Sequence, residues 1–330
     1  MPSKTEQGKD TIILHSYKLF CTPAHRFTGE FFIFIPMKKS LIIFWGSVIF
    51  MLLYQCKDKT IHLGKEISYT SQEDLHYGND TEQVLDLYMP KNKPKEQQDV
   101  FLIIHGGGWR GGNKSQLTYF TLSLMQKFPN AIFANMNYRL ASASRFALPN
   151  QTDDIHKAIL FLEKRLDYKP RFILLGNSAG GHLSMFYAYH SDKKKKVKAV
   201  INIVGPADLS DAGFKNYDDY SFLEKHLIDP ETVQPDVSLM TFGSPIHWIR
   251  PTSAPTLSYY GTQDAVVPDS QGEILDSVLK KNHVYHELYK FDGDHVGWAK
   301  EPHDDFLIEK IAGFLKKIGP KKRSENFKAL

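Results

Sequence analysis

An apolar run, Arg171-Phe172-Ile173-Leu174-Leu175, leads straight into Gly176-Asn177-Ser178-Ala179-Gly180, and a helix-compatible stretch from Ala179 to Tyr189 follows at once. A strand that turns into a helix in so short a space crowds its own backbone, and only residues without a Cβ let the turn close. The spacing Gly176-x-Ser178-x-Gly180 therefore predicts a sharp strand-to-helix turn with Ser178 at its apex, held in a strained conformation with its hydroxyl projecting. The helix behind it aims free N–H groups and a positive dipole end at the same spot. Such a pattern recurs by chance, so its meaning depends on the flanking elements and on the rest of the chain.

The rest of the chain alternates strands and helices. Residues 67–70 and 83–88 alternate apolar and polar side chains and predict two half-exposed strands, antiparallel, at the edge of a sheet. Val100 to Ile104 is continuously apolar, which predicts a buried central strand. Residues 116–127 suit a helix and 131–134 a strand. Residues 149–166 carry Ile155, Ile159, Leu160 and Leu162 at helical spacing, with Pro149 at the entry. Asp153 and Asp154 then fall in the first turn, where the dipole favours carboxylates, and read as capping. Residues 197–204 predict another central strand, 255–260 and 284–291 two more, with a helix over 268–281 and a last helix from His303. Residues 209–247 break the pattern apart from a short helix at 222–228. An excursion of this length at strand ends reads as a lid or pocket wall, with Tyr217, Tyr220, Phe222 and Trp248 as candidates for substrate choice.

After the 100–104 strand comes His105-Gly106-Gly107-Gly108-Trp109-Arg110-Gly111-Gly112-Asn113. So much glycine costs chain entropy. Successive small residues at a strand's carboxyl end let backbone N–H groups point inward unobstructed, as an oxyanion hole requires. A Walker-type phosphate cradle would need Gly-Lys-Ser/Thr, a register that Gly112-Asn113-Lys114-Ser115 lacks. His-Gly-Gly-Gly-Trp together with the downstream Gly-x-Ser-x-Gly resembles the α/β-hydrolase esterases of the hormone-sensitive-lipase type. It is also similar to the feruloyl-esterase and kynurenine-formamidase-like group, and Asn137-Tyr138-Arg139-Leu140 matches a third signature of these families. The resemblance covers residues 62–318 and implies an α/β-hydrolase fold, a mostly parallel central sheet with helices on both faces and a small lid at 209–247. It implies oxyanion donors at Gly107, Gly108 and Ala179, with His105 bracing the loop.

An activated serine needs a base, and the base an orienting acid. In the family these follow in the order Ser, Asp/Glu, His. Gly261-Thr262-Gln263-Asp264-Ala265-Val266-Val267-Pro268 matches the family's Gly-x-x-Asp-x-x-Val-Pro, so the resemblance assigns the acid to Asp264. Asp269 falls at a helix start and reads as a cap. His295, on the loop after the final strand, takes the position of the family's base, and His283, His286 and His303 read as surface histidines. The implied activity is serine carboxylic-ester hydrolysis of short-chain acyl esters, with acetyl or feruloyl esters of carbohydrates suggested by family and compartment. An arylformamidase or peptidase on the same fold would use the same triad. A non-catalytic surface binding module would be expected to have lost one of its members. No cofactor or metal is implied, and the partner is a small-molecule or oligosaccharide ester.

The chain has 330 residues and a net charge of +4. The basic run Lys193 to Lys196 plus Lys198 has no interleaved aromatics and reads as a solvated turn, not a nucleic-acid site. There are two cysteines, Cys21 and Cys56, and no metal-type Cys/His spacing. Met37-Lys38-Lys39-Ser40, then the uncharged apolar run Leu41 to Tyr54, then Cys56, read as a signal peptide (37–55). The run is short for a membrane span. This resembles a lipoprotein signal with Cys56 lipidated, departing from the pattern at Tyr54-Gln55, and the following Lys57-Asp58 resembles lipoproteins of the Bacteroidetes. An uncleaved anchor helix is the alternative. Residues 1–36 then read as an upstream mis-called extension, 56–61 as a tether and 319–330 as a basic tail. The expected location is the Gram-negative cell envelope, lipid-anchored, on the periplasmic or surface side.

Overall fold

In the computed structural model, which describes residues 58–319 apart from residue 65 and residues 93–96, the buried strand Val100–Ile104 shows how the layers arise. Successive side chains leave a strand on opposite faces. Val100, Leu102 and Ile104 join one hydrophobic core, and Phe101 and Ile103 join a second on the other side of the sheet. The first core is closed by the helices Asn150–Leu166, Ala179–Phe186 and Ser270–Lys281 and by the insertion after residue 209. The second is closed by the helices Thr118–Lys127 and His303–Ile318. Burial on both faces explains why this strand is continuously apolar.

Nine strands make one sheet: β1 Lys59–Leu63, β2 Ile67–His76, β3 Val84–Pro90, β4 Val100–Ile104, β5 Ile132–Met136, β6 Phe172–Asn177, β7 Val197–Ile203, β8 Thr256–Gly261 and β9 His286–Phe291. Their order is β1-β2-β3-β5-β4-β6-β7-β8-β9. The first three strands run antiparallel to their neighbours, and from β5 to β9 every pairing is parallel. His105 follows β4, Ser178 follows β6, Asp264 comes shortly after β8 and His295 shortly after β9. Parallel strands put all four at the same carboxyl edge of the sheet, where open α/β sheets hold their ligands.

Several expectations need correction. Residues 59–61, read as tether, belong to β1, which pairs with β2 and forms the sheet edge. β3 therefore lies inside the sheet, between β2 and β5, and is buried almost throughout. Its polar Asp86 is not solvated; it pairs with Lys114 Nζ at 2.8 Å. Asp154 is not a cap either. Its side chain is fully buried, receives the Arg139 guanidinium at 2.7 Å and 2.9 Å, and accepts from Arg139 N and from Gln83 Nε2. Asp269 stands at the start of its helix without a capping hydrogen bond and pairs instead with Lys290.

Lys193 to Lys195 are exposed, as expected of a turn, whereas Lys196 pairs with Glu163 and Lys198 with Asp99. The insertion forms the short helices Tyr220–His226 and Leu239–Gly243 and several 3-10 turns. It is tied down: Ala147 and Leu148 donate to His226 and Leu227, and Asp229 donates back to Leu148. Residues 1–36, the signal-like segment, Cys56 and residues 320–330 lie outside the described residues. No helix among the described residues is long and apolar enough to cross a membrane.

Removing one member of the buried Arg139–Asp154 pair strands the other charge. Asp154→Ala is expected to lower the unfolding free energy by about 3–5 kcal/mol in urea titration. A loss below about 1 kcal/mol would show that the pair is not closed in solution.

Candidate active site

Ser178 sits at φ 53° and ψ −123°, a conformation uncommon for a residue with a Cβ. Strain of this kind costs on the order of 1–3 kcal/mol and persists only where the surroundings enforce it. Here Ser178 N donates to Ile203 O at 2.8 Å, and the serine's own carbonyl accepts from His182 N. The flanking glycines are required by close approach. A Cβ on Gly176 would lie 2.3 Å from the Gly180 carbonyl, and one on Gly180 would lie 2.0 Å from Ile104 O.

The serine hydroxyl is 2.9 Å from His295 Nε2, and His295 Nδ1 is 2.7 Å from Asp264 Oδ2. An ionised carboxylate only accepts, so Nδ1 carries the hydrogen and Nε2 presents its lone pair to Ser178 Oγ–H. Asp264 is aimed by its other oxygen, which accepts from Val266 N and Val267 N at 2.8 Å and 2.9 Å. Its side chain is fully buried, whereas His295 keeps an open face toward the cleft. His283 and His303 stand outside this chain, and His286 faces Asp276 instead.

The glycine loop stands opposite. Gly107 and Gly108 take φ values of +114° and +57°, open to glycine and strained for other residues. Gly106 N donates to Asn177 Oδ1 at 3.0 Å, which ties the loop to the serine turn. Among the described residues the N–H groups of Gly107 and Gly108 have no protein acceptor. That of Ala179, at the first helical position, is free by helix geometry. Gly107 and Gly108 border the same cleft as Ser178, and Ala179 lies buried just behind it.

Polar contacts hold the loop in place. His105 Nδ1 donates to Gly106 O at 2.7 Å, and its ring stacks on Tyr138 with centroids 4.3 Å apart. Tyr138 in turn donates to His105 O. Trp109 Nε1 donates to His182 Nδ1 at 3.1 Å, and His182 Nε2 donates to Gly243 O at 2.8 Å. Gln151 Nε2 donates to the carbonyls of both Trp109 and Arg139. These contacts tie His105 to the loop. The parts played by Asn177, Tyr138, Gln151 and His182 went unforeseen. Asn177 is the variable position of its motif and Tyr138 lies within a matched signature, but Gln151 and His182 carry no local signal.

The pattern of the BD-FAE family matches residues 85–279 of this sequence. The chain belongs to the BD-FAE family. It is 26% identical over 240 residues to esterase LipC of Mycobacterium tuberculosis, covering 67% of this chain and 59% of LipC. It is 32% identical over 123 residues to the kynurenine formamidase avaC of Aspergillus versicolor, covering 33% of this chain and 43% of that protein. The chain thus spans less than two thirds of the length of these relatives. A truncated carbohydrate esterase from gut microbiota superposes with a TM-score of 0.61 at 19% identity, over 79% of this chain and 100% of that one. The fold is that of the α/β-hydrolases.

In this BD-FAE domain the cleft beside Ser178 has a volume of about 560 Å³. Of the four aromatic candidates from the insertion, Tyr217 borders it, with its hydroxyl close over Gly108. The other three do not. Tyr220 is buried and donates to Leu209 O, Phe222 lies under the Arg110 guanidinium, and Trp248 packs on His190. Among the described residues no cluster of His, Cys, Asp or Glu is placed to hold a metal ion.

Burial lowers both His105 and His182 from 6.5 to about 4. Both are neutral in the fold, and the unfolded chain takes up their protons first. Their stabilising contribution is therefore whole above about pH 6.5 and is lost as pH falls toward 4. At 1.36 kcal/mol per pH unit, each histidine accounts for roughly 3 kcal/mol across that window. Urea unfolding at pH 6.5 and 4.5 should show a drop of several kcal/mol, smaller in His182→Gln; equal free energies at the two pH values would refute buried neutral histidines.

Proposed function

We propose that this chain is a serine ester hydrolase working through an acyl-enzyme. The observation that carries this reading is the hydrogen-bonded chain Ser178–His295–Asp264 facing the unpaired N–H groups of the glycine loop. His295 takes the Ser178 proton as the hydroxyl attacks the ester carbonyl, and Asp264 holds the imidazole tautomer and stabilises the cation that forms. The carbonyl oxygen becomes an oxyanion held by Gly107, Gly108 and Ala179. Each donor is worth roughly 3–4 kcal/mol in the transition state. His295 then protonates the leaving alcohol, and water activated by the same base releases the acid and restores Ser178. The steps use only groups of the chain and water.

The substrate class we favour is short acyl esters of carbohydrates, acetyl or feruloyl. The likeness in fold to a carbohydrate esterase from gut microbiota supports it. The likeness to a kynurenine formamidase favours arylformamide hydrolysis as a second reading. Acetyl release from acetylated xylan, set beside hydrolysis of N-formylkynurenine, separates the two. A pure binding module is disfavoured because Ser178, Asp264 and His295 are all retained and bonded.

Ser178→Ala is expected to lower kcat for p-nitrophenyl acetate at least 1,000-fold, and Asp264→Asn about 1,000- to 10,000-fold through the wrong histidine tautomer. Equal rates in wild type and Ser178→Ala would remove Ser178 as nucleophile.

We further propose that Cys56 carries a lipid anchor holding the domain at the periplasmic or outer surface of a bacterial envelope, on the strength of the signal-like residues 37–55. Expressed as the full chain in a Gram-negative host, the protein should partition into the detergent phase of Triton X-114, and Cys56→Ala into the aqueous phase. The same partitioning for both proteins would refute the anchor.

A further inference from the structure

One buried carboxylate in the cleft takes no part in the reaction just described. Asp304 is 6% exposed and borders the cleft that holds Ser178. One of its oxygens accepts from Asp305 N at 3.0 Å, and among the described residues no cation pairs with it. Trp298 borders the same cleft, is 4% exposed, and its indole N–H has no acceptor among the described residues. Among the described residues the side-chain polar atoms sealed from both solvent and partners are Ser71 Oγ, His105 Nε2, Gln151 Oε1 and Ser258 Oγ. The free Asp304 oxygen and Trp298 Nε1 are not among them, so both keep some contact with solvent, and both residues line the cleft. Asp304 stands in the first turn of the helix His303–Ile318, where the dipole favours its charge, and its second oxygen remains free to accept from a ligand.

The side of the cleft is also defined. Trp298 and Asp304 follow His295 in the stretch 295–304 and line the cleft with it, and on that ground we assign this wall to the side of the base that protonates the leaving alcohol. Phe120 meets Trp298 edge-on at 5.3 Å, and Tyr119, 63% exposed, lines the same cleft. Tyr217, by contrast, stands over Gly108 on the oxyanion side. An acceptor, a donor and an exposed aromatic face suit a ring bearing hydroxyls, which both donate and accept. A cation would gain from the carboxylate and the ring but would be repelled by the indole N–H.

We propose that Asp304, Trp298 and Tyr119 form a subsite for the alcohol half of the substrate, a pyranoside keeping at least one free hydroxyl beside the esterified one. This rests on the ester-hydrolase reading above. The test compares kcat/KM of the full chain for a mono-O-acetyl methyl β-xyloside with that for p-nitrophenyl acetate, whose leaving group has no aliphatic hydroxyl. Asp304→Asn should lower that ratio at least tenfold, mainly through KM for the sugar ester. Tyr119→Ala, a change at an exposed position that spares the fold, should lower it severalfold. An unchanged ratio in both variants would overturn the subsite. So would a selective loss on acetylcholine in Asp304→Asn, which would place a cation at the carboxylate. Calorimetry of xylotriose binding to Ser178→Ala, with and without Asp304→Asn, decides the subsite independently of turnover. Binding that is lost with Asp304 supports it, and absent or unaltered binding overturns it. Should the wild type hydrolyse no ester while xylotriose binding still depends on Asp304, the hydrolase reading fails and the subsite stands.

Discussion

The approach of Gly180 to the end of the central strand β4 is the constraint on which the site depends. A Cβ at that position would meet Ile104 O at 2.0 Å and His105 O at 2.6 Å. Because Gly180 has none, the helix start seats directly against the strand end. That seating brings the serine turn beside the glycine loop that leaves β4. The Asn177–Gly106 hydrogen bond closes the same gap from the other side. Ser178 is strained because two rigid elements meet at it, and neither can relax without opening the other.

Around this junction the protein spends polar groups where a core would ordinarily be apolar. Trp109, His182 and Gly243 form one hydrogen-bonded chain, and Tyr138, His105 and Gly106 another. Both run through buried neutral histidines. Such groups specify one arrangement because each lost partner is costly in a dry interior. The glycine loop, which has little side-chain packing of its own, is positioned by this scaffold. Fixed donors need no reorganisation when charge develops beside them, which is how preorganised sites lower a barrier.

Much of this was legible in the residues. Continuous apolar runs marked the central strands β4 and β6, and the glycine spacings marked the turn and the loop. The order of Ser178, Asp264 and His295 matched a known family pattern, and the geometry brings the three into contact. The edge of the sheet was less legible. Residues 83–88 alternate, yet β3 is buried on both faces because β1 and β2 extend the sheet beyond it, and Lys114, at the start of the 3-10 helix Lys114–Leu117, then neutralises Asp86. Asp154 and Asp269 looked like caps because helix starts favour carboxylates, but a basic partner close in space and remote in sequence outcompetes the backbone dipole. Three of the four aromatic residues expected at the substrate pocket proved to be packing residues of a docked insertion.

By itself, then, the sequence determined the elements that depend on local chemistry: where a backbone must lack a Cβ, where a strand must be buried on both faces, and which residue types could serve as nucleophile, acid and base. Tertiary structure alone decided which charges pair, which polar residues brace the loop, and which side chains face the cleft. Pairing and burial are set by neighbours far apart in the chain. The placement of Asp304 and Trp298 beside Ser178 follows from the sheet bringing the ends of β4, β6, β8 and β9 to one edge, and periodicity along the chain carries no trace of that meeting.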